Sequence, residues 1–151
     1  MPKILDLADM SWPLLTRSTK VHTGLYRATG GMIGSRIPGS KIRMLLLEHK
    51  GAKSGVERTA PLLYVEDGDD VVIIASKGGY PKNPAWFYNL KAHPETTIQI
   101  GREKRPVRAR VADDAEHERL WPVAVDSYAD YETYQRRSKG RKIPMVILEP
   151  R

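Results

Sequence analysis

The chain has 151 residues, and its 25 Lys and Arg against 18 Asp and Glu give a formal net charge of +7. This length and the 40% of hydrophobic residues predict one folded domain rather than a disordered chain. The absence of cysteine excludes disulfides, thiolate nucleophiles, zinc–cysteine sites and iron–sulfur clusters. Apolar runs are far shorter than the ~20 residues of a membrane span, and no secretory signal is recognisable, so we expect a cytoplasmic protein.

Residues 4–28 have the pattern of a short amphipathic helix that is interrupted near Pro13. We assign residues 1–30 to an N-terminal helical segment and residues 31–151 to one domain. Two interpretations of the segment stay open. It covers one end of the domain or a subunit interface, or it lies peripherally on an anionic membrane through its apolar face and the basic residues Lys3, Arg17, Lys20 and Arg27.

Six strands are predicted from alternating or continuous apolar patterns, at 43–49, 58–66, 71–76, 96–100, 107–111 and 143–148. Glycine-bearing turns at 51–55 and 67–69 connect the first three strands. The third strand is apolar up to its last residue, which predicts a strand covered on both faces. The basic tract at 102–105 is predicted to be the exposed hairpin turn between the fourth and fifth strands.

Helices are predicted between the third and fourth strands and before the last strand. Asn83 as the N-cap and Pro84 at the first helical position begin one helix. Asp113 or Asp114 caps another, with Glu116 in a capping-box position, and Pro122 either kinks that helix or opens a second one. The predicted fold is therefore mainly β (α+β), a small barrel of about six mostly antiparallel strands with flanking helices.

The positive charge is compatible with nucleic acid, an anionic membrane or a phosphorylated small ligand. Aromatic residues are not interleaved with the basic tracts, so the sequence gives no support to nucleic-acid binding. The four histidines, at 22, 49, 93 and 117, fall in separate elements without metal-ligand spacing, and we predict no metal. Their simplest role is at the surface or in packing.

Two turns suit an anion because they combine cations, hydroxyls and glycines. The first contains Lys53, Ser54 and Arg58, and the second contains Ser76 to Gly79. Trp86 and Asn89 on the following helix would share a face, where the indole could cover a flat ring. The alternative is that the second turn is an ordinary loop and that Trp86 is a core residue.

Taken in order, these motifs resemble the deazaflavin-dependent nitroreductase family. The resemblance is carried by GAKSGVER at 51–58, ASKGG at 75–79 and NPAWFYNLKAHP at 83–94, and it continues to the end of the chain. It implies a split β-barrel that binds coenzyme F420, an 8-hydroxy-5-deazaflavin with a phosphodiester and an oligoglutamate tail. It also implies hydride transfer from the reduced cofactor to a quinone, nitro or activated-alkene acceptor.

The resemblance implies a set of site residues. Lys53, Ser54, Arg58 and Lys77 would hold the phosphate and the tail. The full cofactor-binding set is Ala52, Lys53, Ser54, Arg58, Thr59, Ala60, Pro61, Leu62, Leu63, Ile74, Ala75, Ser76, Lys77, Gly78, Gly79, Ala85, Trp86 and Asn89. The catalytic candidates are the hydroxyls that could stabilise charge on the acceptor or deliver a proton, on Ser76, Tyr128, Tyr131 and Tyr134. The tyrosines could equally be the packed aromatic face of one helix.

Two positions depart from the family's pattern. Ala52 stands where some members carry arginine, and Leu63 stands where some carry tyrosine. The neighbouring Tyr64 would face the opposite side of the strand. Two alternatives remain at this point: an oxidoreductase with the same barrel that uses FMN, and a non-catalytic deazaflavin-binding protein.

Overall fold

The computed structural model describes residues 23, 24, 26, 27, 40–79 and 81–151. In this part of the chain the strands are β1 (Arg43–Lys50), β2 (Glu57–Asp67), β3 (Asp70–Ile74), β4 (Glu95–Ile100), β5 (Glu103–Val111) and β6 (Met145–Pro150). The helices are α1 (Ala85–Ala92), α2 (Asp114–Ser127) and α3 (Asp130–Arg137), and a 3-10 turn covers Lys77–Gly79. Among these helices, none is long and apolar enough to cross a membrane.

The six strands form one closed barrel in the order β1-β2-β3-β6-β5-β4. Every neighbouring pair of strands is antiparallel. Helix α1 connects β3 to β4, and α2 and α3 connect β5 to β6. The predicted antiparallel barrel with flanking helices is therefore confirmed.

Strand β3 is buried on both faces, as its apolar run predicts. Val71 and Ile73 point into the barrel and belong to the core cluster that also contains Phe87 of α1. Val72 and Ile74 belong to a second cluster outside the barrel, which includes Leu120 of α2 and Tyr131 of α3. Since full burial of such side chains contributes about 1.5–3 kcal/mol each, this strand ties the barrel to its helical cover.

The predicted capping box at the start of α2 is confirmed. The Asp113 carboxylate accepts a hydrogen bond from the Glu116 backbone N–H at 2.8 Å, and the Glu116 carboxylate accepts one from the Asp113 N–H at 3.1 Å. Glu116 also receives two hydrogen bonds from Arg110 of β5, which hold the pKa of Glu116 at about 2. Pro122 lies inside α2, and the next helix begins only at Asp130, so Pro122 does not open it.

The structure corrects two predicted boundaries. The N-cap of α1 is Pro84 rather than Asn83, because the Asn83 side chain accepts a hydrogen bond from the Arg141 guanidinium instead. The hairpin turn between β4 and β5 is Gly101 and Arg102, and residues 103–105 already belong to β5. Gly101 has a φ of +61° there, a conformation that glycine adopts without steric cost, and Ile100 pairs with Glu103 directly across the turn.

The barrel closes at a short seam between β1 and β4. These strands pair only at Leu46–Gln99 and Leu47–Ile98, whereas β1 and β2 pair along eight residues. The hydroxyl of the fully buried Tyr26 donates to the Met44 carbonyl at 3.1 Å and accepts from the Gly101 N–H at 3.0 Å. The described residues of the N-terminal segment are 23, 24, 26 and 27; they are helical, and Tyr26 among them packs on the barrel. The rest of the helix predicted at 4–28 lies outside the described residues.

Gly79 brings the 3-10 turn into backbone contact with α3. Its φ is +82°, and a Cβ at this position would lie 2.8 Å and 2.9 Å from the carbonyl oxygen and Cα of Tyr134. A side chain here would have to displace helix backbone, which cannot move as a flexible side chain can. Gly79 is therefore required for the packing of the turn against α3.

Replacing Gly79 with alanine should destabilise the protein more than the same change at Gly140. Gly140 has a similar φ of +85°, but no atom of the described residues lies within 4 Å of the position that its Cβ would take. Backbone strain alone costs about 1–2 kcal/mol in Gly140→Ala, and the clash adds about 1–3 kcal/mol in Gly79→Ala. Urea unfolding of both variants measures the difference. Equal losses of unfolding free energy would show that the contact with Tyr134 carries no cost.

Candidate functional site

A cavity of about 920 Å³ lies where the end of the β1–β2 hairpin meets the 3-10 turn and the first turn of α1. We call it the main cavity. One part of its wall is apolar and is formed by Met44, Pro61, Leu62, Leu63, Ile74 and Trp86. Another part carries the cationic side chains of Arg58 and Lys77. The wall thus offers an apolar surface and positive charge to the same ligand.

The main cavity brings together residues that are far apart in the sequence. The predicted residues in its lining are Arg58, Thr59, Pro61, Leu62, Leu63, Ile74, Ser76, Lys77, Ala85, Trp86 and Tyr131. The other predicted residues are outside the lining, namely Ala52, Lys53, Ser54, Ala60, Ala75, Gly78, Gly79, Asn89, Tyr128 and Tyr134. The lining residues that sequence reasoning missed are Thr23, Met44, His49, Val56, Glu57 and Pro84. Val56 and Glu57 lie within the motif GAKSGVER at 51–58, whereas no sequence pattern distinguishes Thr23 or Met44.

Asn89 acts behind the cavity wall. Its side-chain oxygen accepts a hydrogen bond from the Ala52 backbone N–H at 2.9 Å, and its side-chain nitrogen lies 2.9 Å from Nδ1 of His49. The turn itself is closed by hydrogen bonds from the Gly51 N–H to the Val56 carbonyl and from the Gly55 N–H to the Gly51 carbonyl, both at 2.9 Å. Helix α1 therefore anchors the turn at 51–55, between β1 and β2, through the buried side-chain amide of Asn89.

His49 is an uncharged wall residue at neutral pH. It is buried and lies directly across from Arg58 in the pairing of β1 with β2. Burial, reinforced by the positive charge of Arg58, lowers the pKa of His49 to about 4. Its imidazole therefore contributes hydrogen-bonding groups to the cavity without adding a second positive charge beside Arg58.

Arg141 holds the end of β3 and the residues that follow it. Its guanidinium donates to the Ala75 carbonyl at 3.0 Å and to the Ser76 carbonyl at 2.9 Å, and it also binds the Asn83 side chain. These contacts position Ser76 and Lys77 at the cavity wall. Partial burial, with the charges of Arg141 and Lys82, lowers the pKa of Lys77. An anion bound at this wall would relieve the repulsion among the cations.

The three predicted tyrosines meet, but they do not belong to one helix. Tyr128 is the C-cap of α2, whereas Tyr131 and Tyr134 lie in α3. The rings of Tyr128 and Tyr131 pack edge to face with their centroids 5.1 Å apart, and the Tyr128 and Tyr134 hydroxyls are 3.1 Å apart. The prediction of a single aromatic helix face is therefore wrong, because the helix ends at Tyr128.

Tyr131 alone of these three lines the main cavity. Its ring is buried, and its hydroxyl makes no hydrogen bond to any residue that the structure describes. Burial, together with the neighbouring Tyr134, raises the pKa of Tyr131 above its ordinary value. The hydroxyl therefore stays protonated and can donate a hydrogen bond to a ligand.

The two faces of β2 serve different purposes. Leu63 lines the main cavity, while Tyr64 is buried in the barrel core. This confirms that Tyr64 points away from the position at which some members of the resembled family carry tyrosine. The cavity consequently has an aliphatic side chain at this point.

The sequence comparisons identify relatives along most of the chain. The family described as F420H(2)-dependent quinone reductase matches residues 18–150. The F420H(2)-dependent quinone reductase Rv1261c of Mycobacterium tuberculosis is 42% identical over 135 residues, which cover 87% of this chain and 89% of that protein. Rv3178 of the same organism, which bears the family's name, is 50% identical over 107 residues, which cover 71% of this chain and 89% of that protein.

A solved structure agrees with these relatives. The F420-H2 dependent reductase FDR-A has 40% sequence identity and a TM-score of 0.65, and the match covers 70% of this chain and 93% of that chain. The resemblance to nitroreductases is thus correct in the cofactor that it implies, while the family name that the matches support refers to quinones. The match along residues 18–150 and the relatives at 42% and 50% identity show that this chain belongs to the F420H(2)-dependent quinone reductase family.

Proposed function

We propose that this protein is an oxidoreductase that uses reduced coenzyme F420 to reduce a quinone. The observation that carries the proposal is the main cavity, which joins an apolar wall to the cations Arg58 and Lys77 in a member of this family. A flat deazaflavin with an anionic side chain needs both features at once. Neither a purely polar cleft nor a purely apolar one would suit it.

The residues of the main cavity fit the cofactor. Leu62 and Trp86 provide an apolar surface for the deazaflavin ring, and Arg58 and Lys77 provide positive charge for the phosphodiester and the carboxylates. Arg58 is exposed and Lys77 is half-buried, so both can reach a ligand that extends from the cavity to solvent. When bound, the reduced cofactor supplies the hydride, and the protein supplies binding, orientation and electrostatics.

Two hydroxyls in the main cavity, on Ser76 and Tyr131, are suited to assist the reduction of the acceptor. A quinone that takes up a hydride develops negative charge on its oxygen and then needs a proton to become a hydroquinone. Ser76 and Tyr131 both line the main cavity, and Tyr131 is held in its protonated form. We assign them the role of donating hydrogen bonds to that oxygen, with the proton delivered directly or through water.

The wall of the main cavity supports a finer proposal for the acceptor. Met44, Leu63 and Ile74 make one part of the wall aliphatic, which favours a lipophilic quinone over a polar acceptor. Nitro compounds and activated alkenes are proposed as further acceptors because the same hydride and the same hydroxyl donors serve them. Peripheral contact of the N-terminal segment with an anionic membrane remains a proposal that would bring the cavity to such a quinone.

Titration of the purified protein with F420 and with FMN tests the function directly. We expect binding of F420 and oxidation of its reduced form by a soluble quinone, with nitro compounds as slower acceptors. Preference for FMN would overturn the cofactor assignment. Binding of F420 without turnover of any quinone, nitro compound or activated alkene would make the protein a carrier instead of an enzyme.

Lys77→Gln should weaken the binding of F420. A hydrogen bond to a charged group contributes about 1.5–3 kcal/mol, so the dissociation constant should rise about tenfold to a hundredfold at low salt. The difference should shrink as the ionic strength rises. Lys104→Gln is the matched control, because Lys104 is exposed on β5 and is not in the cavity lining. Equal effects of the two substitutions would reduce the role of Lys77 to general charge.

Tyr131→Phe should slow the reduction of quinone without weakening F420 binding. Loss of a positioned proton donor lowers the rate by about a hundredfold or more. Tyr64→Phe is the matched control: it also removes a tyrosine hydroxyl, but from the barrel core and not from the cavity wall, and it should leave kcat nearly unchanged. Stopped-flow oxidation of the reduced cofactor by a water-soluble quinone gives both rates. A Tyr131→Phe enzyme with the wild-type rate would exclude this hydroxyl from the reaction.

A further inference from the structure

A second cavity of about 440 Å³ adjoins the main cavity. We call it the side cavity. The two cavities share four lining residues, namely His49, Glu57, Arg58 and Thr59. The remaining wall of the side cavity carries both signs of charge, with Arg27, Lys50 and Arg151 on one side of the balance and Glu48 and Glu95 on the other. The shared residues form a junction between a space with an apolar wall and a space whose wall is polar.

At this junction the tautomer of His49 is determined by its neighbours. The Ala52 backbone N–H can only donate, so the Asn89 oxygen must face it, at 2.9 Å. This places the Asn89 NH2 group toward Nδ1 of His49, also at 2.9 Å. An amide NH2 can only donate, so Nδ1 must accept. The single proton of the neutral imidazole therefore resides on Nε2.

The resulting Nε2–H has no partner in the part of the chain that the structure describes. His49 is only 8% exposed, and it lines both cavities. No hydrogen bond joins Nε2 to any described residue. In the main cavity, the buried Thr23 hydroxyl also lacks a hydrogen-bond partner among the described residues. Because His49 lines both cavities, its Nε2–H is available to donate a hydrogen bond to a ligand at this wall.

The neighbours of His49 indicate the charge of that ligand. Arg58 lies directly opposite His49 in the strand pairing and belongs to the junction, which also contains the carboxylate of Glu57. Beside this guanidinium, an anionic oxygen can receive a charged hydrogen bond from Arg58 and a neutral one from the imidazole. A protonated imidazole would instead be repelled by Arg58, which is why a fixed neutral donor suits this position.

We propose that His49 is a cofactor-binding residue whose Nε2–H donates a hydrogen bond to the phosphodiester of F420 at the junction of the two cavities, and that Asn89 is the positioning residue that fixes its tautomer. The proposal rests on the proposed function. In this arrangement the apolar part of the main cavity would hold the ring and the junction would hold the phosphodiester. Arg27, Lys50 and Arg151 of the side cavity would then be the cations available to the tail, beside the carboxylates of Glu48 and Glu95.

Two substitutions separate the donor from the structural role of His49. The side-chain oxygen of His49→Asn occupies the position of Nδ1 and keeps the hydrogen bond with Asn89, but the donor at Nε2 is lost. The longer side chain of His49→Gln places an N–H near the position of Nε2. We expect His49→Asn to raise the dissociation constant of F420 about tenfold, and His49→Gln to stay within about threefold of wild type.

Three forms of the cofactor locate the contact. The forms are the ribityl deazaflavin without phosphate, the phospholactyl form without glutamates, and F420 with its tail. The effect of His49→Asn should be absent for the first and equal for the other two. An effect that appears only with the glutamate tail, an equal effect on the phosphate-free form, or no effect on any form would overturn the proposal. Wild-type protein that binds none of the forms would overturn the proposed function as well.

The tautomer is measured independently of binding. Nitrogen-15 NMR of the imidazole in the wild-type protein at pH 7 should show the proton on Nε2, and Asn89→Asp should change this signature because a carboxylate cannot donate to Nδ1. Thermal unfolding confirms that each variant is folded before its affinity is compared. A proton on Nδ1 in the wild-type protein would overturn the assignment whatever the binding data show.

Discussion

The geometry of the site depends on the guanidinium of Arg141. Beyond the end of β3, Arg141 donates to the carbonyl groups of Ala75 and Ser76 and also holds Asn83, while the Ser76 carbonyl accepts a second hydrogen bond from the Gly79 N–H. The same contacts connect the segment before β6 with the turn before α1. Since arginine keeps its charge at all accessible pH values, this group also adds to the positive potential around Lys77. One side chain therefore sets both the shape and the charge of this part of the wall.

The site lies at the edge of the barrel core, whose interior is filled by packed side chains and therefore cannot itself hold a ligand. Strand β2 illustrates the division, because Tyr64 fills the barrel while the adjacent Leu63 faces the main cavity. Likewise, Phe87 of α1 packs into the barrel, and Asn89 on the same helix fixes the hairpin turn. A ligand bound in the main cavity thus rests on residues whose neighbours are anchored in the core. Such support restricts the motion of the wall residues.

Features that depend on local pattern could be predicted from the sequence. The alternating strands, the doubly covered β3 and the capping box of Asp113 and Glu116 follow from side-chain periodicity and from hydrogen bonds over three residues. The motif residues Arg58, Ser76 and Lys77 are recognisable for the same reason, since glycines and cations at short spacing are visible in one segment. The cofactor is predicted only by the resemblance to a family, because no local pattern contains it.

The parts that could not be predicted arise from contacts between distant segments. Asn83 is a good N-cap in its local sequence, but Arg141 binds it from 58 residues away. His49 is an ordinary strand residue until closure of the fold places Asn89 against it, 40 residues away. Thr23 lines the main cavity because the described residues around it pack on the barrel. Each of these partners is chosen by the three-dimensional fold and leaves no periodic signal in the sequence.

The short seam of the barrel has a consequence for its dynamics. Only two residue pairs join β1 to β4, and the Tyr26 hydroxyl bridges the Met44 carbonyl and the Gly101 N–H beside them. Local opening of the barrel therefore begins most easily at this line, where the fewest backbone hydrogen bonds have to break. Any event that draws Tyr26 away from the barrel removes this bridge. The position of Tyr26 and the closure of the sheet are in this way energetically coupled, so a force or a surface that displaces Tyr26 also weakens the seam.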